Sequence, residues 1–252
     1  MPSFGIILAM LELKDLYVKI EGQEVVKGVS QKFDVDEGKF FVLLGPNGCG
    51  KSTLFRAIMG FSKYKVKGDI LLDGKKINGL DIDERVKLGL SYMYQSPPKI
   101  KGLTVRDMLE EKELHDDFWD EYSKDVDELD ALKFYNRSIN DGLSGGEIKR
   151  SELLTLAMIP ESKIFLFDEP DSGVDLDNMK RLGKYVDKLV KQREGIGIIV
   201  THTGDMLKYL DVQKAIIMYN GKISCEGDPK ELLDCVKKKG YEDCIKCQEK
   251  KV

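Results

Sequence analysis

Nine consecutive residues carry the strongest chemical signal in this chain: Gly45-Pro46-Asn47-Gly48-Cys49-Gly50-Lys51-Ser52-Thr53. They fit G-x-x-x-x-G-K-[ST] between an apolar strand, Lys39 to Leu44, and a helix from Lys51 to Met59. Glycines let successive backbone N–H groups wrap an anion, and the helix N-terminus adds a partial positive charge. Lys51 is then placed for the β and γ phosphates of a nucleotide, and the Ser52 hydroxyl for a Mg²⁺ ion. A second signal is Ile164-Phe165-Leu166-Phe167-Asp168-Glu169, an apolar strand ending in two acids. Beside a phosphate loop, Asp168 is placed to hold Mg²⁺ through water, and Glu169 to polarise a water attacking the γ-phosphate.

Two further positions need the same company. Leu143-Ser144-Gly145-Gly146-Glu147 is a second small-residue turn before a helix. It makes another phosphate cradle, and one nucleotide does not readily use both; alone, it reads equally as an N-capping turn. His202 follows the apolar run Ile196 to Val200, at the strand end where open α/β sheets place ligands. There it can contact the γ-phosphate and hold Glu169 or the water. His115, the other histidine, lies in an acidic helical stretch and reads as a surface residue.

These residues are positioned by alternating strand and helix signals, the pattern of an α/β fold. Leu11 to Ile20 and Val25 to Val35 read as paired strands, and Lys67 to Ile77 as a hairpin turning at Asp73-Gly74. Asp83 to Leu88 reads as a short helix and Ser91 to Tyr94 as a strand. From Ser96 to Gly142 the apolar strand runs disappear, and Val105, Met108, Phe118, Trp119, Tyr122, Val126 and Leu129 keep helical spacing. This predicts a mostly helical insertion, its apolar stripe either core or a docking face. The α/β pattern then resumes: helices over Glu147 to Met158 and Leu176 to Arg193, a hairpin over Ala215 to Glu226, and a last helix over Lys230 to Lys239. The charged tail beyond, with Cys244-x-x-Cys247, reads as loose. Half a four-ligand metal set is present there, which two tails, or Cys235, would have to complete.

The 252 residues have 42% hydrophobic content, 40 Lys+Arg against 44 Asp+Glu, and 5 scattered Cys. That suffices for a full core and excludes wholesale disorder, a disulfide scaffold and a strongly basic nucleic-acid binder. No apolar run approaches the ~20 residues of a membrane span, so the chain is expected to be cytoplasmic, without direct membrane insertion. Residues 1–9 read as a leader or remnant, 10–241 as one domain with 96–142 inserted, and 242–252 as a tail.

In this order, the signals resemble ABC-type ATPases, from Met10 to about Tyr241. The resemblance implies a P-loop NTPase fold of α/β class: a RecA-like core, an N-terminal antiparallel β subdomain and an inserted helical subdomain. It implies ATP and Mg²⁺ as substrate and cofactor, and self-association on ATP binding. Gln95 falls at the position whose glutamine touches Mg²⁺ and reports γ-phosphate occupancy to the helical subdomain. Ser172-Gly173-Val174-Asp175 falls at the loop crossing the dimer interface, which adds Asp175 to the catalytic set. Tyr17 lies where an aromatic stacks on adenine, with Val25 flanking the ring. Two subunits of this family pack head to tail, so Ser144, Gly145 and Gly146 of one would meet the γ-phosphate held by Lys51 of the other.

Within the family, Asp168 to Asp177 (Asp-Glu-Pro-Asp-Ser-Gly-Val-Asp-Leu-Asp) is similar to the SufC branch, the ATPases of SUF iron–sulfur cluster assembly. Gln95 to Leu103, Glu147 to Glu152 and Gly240-Tyr241 are similar to it too, although Ser96 to Gly142 is shorter than in many of its members. That likeness implies a SufB-like scaffold as partner, two ATPases per scaffold dimer. The alternative is the nucleotide-binding subunit of an ABC transporter, gripping a permease.

Overall fold

The computed structural model describes residues 9–35, 39–110 and 118–249. Residues 1–8 and His115 lie outside them. The chain opens with β1 (Met10–Ile20) and β2 (Gln23–Asp34), followed by β3 (Phe40–Leu44) and α1 (Lys51–Ile58). Next come β4 (Lys65–Leu72), β5 (Lys75–Lys76), α2 (Ile82–Lys87) and β6 (Leu90–Met93). The insertion holds β7 (Ile100–Thr104), α3 (Val105–Glu110), α4 (Phe118–Glu128) and β8 (Ser138–Ile139). Then follow α5 (Gly145–Ala157), β9 (Ile164–Asp168), α6 (Leu176–Gln192), β10 (Ile196–Val200), β11 (Val212–Tyr219), β12 (Lys222–Gly227) and α7 (Pro229–Glu249).

Two sheets organise these elements. An antiparallel sheet runs β2-β1-β4-β5, and a six-stranded sheet runs β12-β11-β3-β10-β9-β6. In the larger sheet β3 pairs in parallel with both β10 and β11, and β9 with both β10 and β6. Only β12 is antiparallel, returning from β11. Every residue of β3, β9 and β10 is buried, as expected of parallel strands covered on both faces. The hairpins close through Glu21-Gly22, Asp73-Gly74 and Asn220-Gly221, both residues of each pair at positive φ, the mirror-image turn whose twist matches antiparallel strands.

One apolar cluster joins the antiparallel sheet to α1 and one face of the large sheet (Leu13, Val18, Phe55, Ile70, Leu166). A second joins the opposite face to α5, α6 and the insertion (Phe134, Leu153, Phe167, Leu182, Ile199). Tyr122, Val126 and Leu129 are buried in it, so this part of the helical stripe is core.

The insertion is mostly helical, as expected, with one addition: β7 and β8 pair as a two-stranded ribbon, Ile100 opposite Ile139 and Thr104 opposite Ser138. Such short pairing leaves no alternating pattern in sequence. The tail is not loose: α7 continues to Glu249, kinked at Gly240 (φ 79°). Past the kink Cys244 is buried and Ile245 nearly so, both packed with Val42, Leu44 and Ile217. Among the described residues no group of three or more His, Cys, Asp or Glu forms a metal cluster, and Cys244 is a free cysteine in this core. The side chain of Cys247 lies outside what is described.

Candidate active site

The glycine-rich loop joins the C-terminal end of β3 to the N-terminus of α1, at the point where the strand order reverses. Gly45 has φ 156°, and a Cβ there would lie 2.2 Å from the Met218 carbonyl oxygen and 2.7 Å from Cys49 Sγ. Only glycine lets the loop pack this tightly onto β11. Gly45→Ala is expected to cost about 2–3 kcal/mol of overpacking, lowering the thermal midpoint by roughly 5–10 °C. Calorimetry of the nucleotide-free protein checks this. Cys49 is buried within the loop, and burial pushes its thiol up, away from the reactive thiolate.

Lys51 lies under the loop, only 6% exposed. Its Nζ donates to the carbonyls of Gly45 (2.7 Å) and Pro46 (3.0 Å). A phosphate entering here would exchange these bonds for stronger charge-assisted ones. Ser52 Oγ donates to Asp168 Oδ1 at 3.0 Å, and Tyr92 OH donates to Asp168 Oδ2 at 2.9 Å. Burial raises the Asp168 carboxyl, opposed by these two hydroxyls.

Glu169, the next residue, has φ 51°, in the left-handed region. Its N–H donates to the Val200 carbonyl at 3.0 Å, which holds this turn of the chain against β10. The carboxylate is spanned by two side chains. Gln95 Nε2 donates to Oε2 at 2.7 Å, and His202 Nε2 pairs with Oε1 at 2.9 Å. Each oxygen accepts one of these bonds and keeps a further lone pair, so the carboxylate can be held in place and still accept from a water.

Asn47, Gly48, Gly50, Lys51, Ser52, Thr53, Gln95, Glu169 and His202 together line a cavity of 320 Å³. The expected phosphate-loop, glutamine, glutamate and histidine positions are thus brought together. The oxygens of Ser52, Asp168 and the Gln95 amide form a hard donor set suited to Mg²⁺, and Ser52 and Asp168 already lie in contact. When bound, Mg²⁺ would neutralise charge on the phosphates.

Other expected residues stand apart. Tyr17 lines a separate hollow with Lys65, Val66 and Lys67, and Lys67 Nζ lies 5.5 Å from its ring centre. The Asp15 charge nearby raises its hydroxyl. Val25 packs against the phosphate loop: a Cβ on Gly50 would lie 3.3 Å from its Cγ1.

Ser144 caps α5, accepting from Glu147 N at 3.4 Å while Glu147 Oε2 accepts from Ser144 N at 2.8 Å, a reciprocal capping box. Asp175 caps α6, accepting from Asn178 N at 2.9 Å. These two helix starts touch: a Cβ on Gly145 would lie 2.6 Å from the Gly173 carbonyl oxygen. Neither Ser144, Gly145 and Gly146 nor Asp175 lines the cavity of its own chain.

Some supporting residues were not anticipated. Tyr92 holds Asp168; Asp171 Oδ2 accepts from Thr201 Oγ1 (2.5 Å) and Thr203 Oγ1 (2.8 Å), tying the segment after Glu169 to that before and after His202. Lys149 and Glu152 bind the backbone around Gln95.

Comparison with known proteins agrees with this geometry. The family model described as ABC transporter matches residues 29–172. Vegetative protein 296 of Bacillus subtilis is 37% identical over 250 residues, covering 92% of each chain. A probable ABC transporter ATP-binding protein of Streptococcus pyogenes is 38% identical over 247 residues, with 93% of this chain and 94% of that protein covered. An uncharacterized ABC transporter ATP-binding protein of Methanocaldococcus jannaschii is 33% identical over 256 residues, covering 96% and 97%. Among solved structures, a nucleotide-free ATP-binding cassette from an ABC transporter superposes with a TM-score of 0.72 at 24% identity, covering 94% of this chain and 98% of that one. A dimeric cassette in a post-hydrolysis state, bound to ADP and Pi, superposes with a TM-score of 0.71 at 23% identity, covering 86% and 98%. With its glycine-rich loop, Glu169 and His202 in one cleft, the chain belongs to the ABC transporter family, as an ATP-hydrolysing cassette that uses Mg²⁺.

Proposed function

We propose that this chain is the nucleotide-binding subunit of an ABC transporter-type assembly, closing head to tail with a second copy around two ATP molecules. The observation that carries this is the division of the machinery. Lys51, Ser52, Gln95, Glu169 and His202 share one cleft, whereas the Ser144-Gly145-Gly146 turn faces no nucleotide cavity of its own chain. A second copy would supply that turn to the γ-phosphate, and Asp175 would approach the seam beside it. Tyr17 would reach adenine only from the edge of the site, with Val25 between it and the loop.

In the closed state Glu169 takes the proton of the attacking water, His202 and Gln95 hold the carboxylate and water in line, and Lys51 stabilises charge on the phosphates. The inserted subdomain, 96–142, would pass closure to a partner. The names of the Streptococcus and Methanocaldococcus relatives support a transporter's membrane component in that role. Among the described residues no helix is long and apolar enough to cross a membrane.

A second reading is favoured by one stretch of sequence. Asp171-Ser172-Gly173-Val174-Asp175-Leu176-Asp177 is similar to the SufC branch, where transport subunits more often carry T-S-A-L-D. In that reading the partner is a SufB-like scaffold, two ATPases per scaffold dimer, and the chain works in the cytoplasm. Purification from its native cells under anaerobic conditions, with membrane fractionation, separates the two. A co-purifying permease in the membrane fraction supports the transporter subunit. An iron–sulfur scaffold in the soluble fraction, with no permease, overturns it in favour of the second reading.

A further inference from the structure

Two charged residues in the middle of α5 are nearly removed from water: Lys149 is 3% exposed and Glu152 is 8% exposed. Three positions apart, they share one face of the helix. Both are spent on the backbone of two consecutive residues. Lys149 Nζ donates to the Tyr94 and Gln95 carbonyls, each at 2.9 Å, and Glu152 Oε1 accepts from Tyr94 N at 3.2 Å. Glu152 Oε2 is buried and has no hydrogen-bond partner among the described residues. Burial pushes the Glu152 carboxyl up to about 7, against the attraction of Lys149, and lowers Lys149.

A buried ion pair is weak support for stability, since apolar residues of similar volume often do as well. Its location is more informative. The backbone it grips carries Gln95, whose side chain donates to Glu169 Oε2 at 2.7 Å. The helix it stands on begins at Ser144. The pair therefore joins the Ser144 turn to the residue that orients the general base.

We propose that Glu152 is a positioning residue for ATP hydrolysis, fixing the Gln95 segment to α5 so that Gln95 presents Glu169 to the attacking water. The proposal deepens the ATPase reaction and is independent of which partner the assembly serves. Glu152 does not line the cavity, so its loss acts on the chemical step and not on binding.

Steady-state ATPase kinetics of the full chain, with its partner where one is needed for turnover, test this. Glu152→Leu is expected to lower kcat about tenfold, as a misplaced reacting group does, with KM for ATP within about twofold of wild type. Glu152→Gln keeps an oxygen for Tyr94 N and is expected to restore most of kcat. The single Leu variant strands the Lys149 charge, so Lys149→Met combined with Glu152→Leu, which leaves no lone buried charge, is measured alongside. It should show the same selective loss. Wild-type kcat in the double variant would overturn the proposal, as would a Gln variant no better than Leu, or a kcat loss accompanied by an equal loss of ATP affinity.

Discussion

Glu169→Gln should leave ATP bound and stop its hydrolysis. The replacement is isosteric, and its amide oxygen can still accept from Gln95 Nε2, whose bond to Glu169 Oε2 is 2.7 Å in the native chain. The turn that aims the side chain is set by the backbone bond from residue 169 to Val200, which does not change. What disappears is the carboxylate proposed to take the proton of the attacking water. A positioned general base contributes about 10²–10⁴-fold, so phosphate release at saturating ATP should fall by at least about a hundredfold. The Kd for ATP should stay within about threefold, because Lys51 and the loop amides still hold the phosphates. Turnover within a few-fold of wild type would mean that another group accepts the proton.

Lys51→Ala should fail at the opposite step. In the free chain the ammonium is buried and shared by two loop carbonyls. Among the described residues it is the one lysine lining the cavity. Hydrogen bonds to charged groups contribute about 1.5–3 kcal/mol each, so removing the lysine should weaken ATP binding by roughly a hundredfold, read by titration calorimetry. No ATP-induced dimer should then form, in contrast to Glu169→Gln. Unchanged affinity would show that the phosphates do not sit over this loop.

The two variants divide the site along the line that sequence makes legible. The loop Gly45 to Thr53, the acids at the end of β9 and the histidine after β10 are local signals: a strand, a few residues of fixed chemistry, then a turn or helix. Strand order could not be read locally, and it decides which side chains support the acids. Tyr92 reaches Asp168 because β6 lies beside β9 at the sheet edge, with Tyr92 opposite Leu166 in register. Nothing in the spacing of residues 92 and 168 announces that.

The same holds for Lys149 and Glu152. Charges in a helix normally mark its wet face, and only the crossing of α5 over the end of β6 buries them. The tail is a different case. Tyr241, Cys244 and Ile245 follow the i, i+3, i+4 spacing of an apolar stripe. Gly240 reads as a stop signal, yet the chain kinks there and resumes its helix, laying those residues on the β11 side of the core.

Separation of the Ser144 turn from the nucleotide cleft has one direct test: the structure of the Glu169→Gln protein with ATP and Mg²⁺, solved in its working complex. Two copies should enclose two nucleotides, with Ser144 and Gly146 of one copy on the γ-phosphate gripped by Lys51 of the other. Nucleotide held in a lone cleft, with Ser144 turned to solvent or to its own chain, would contradict it.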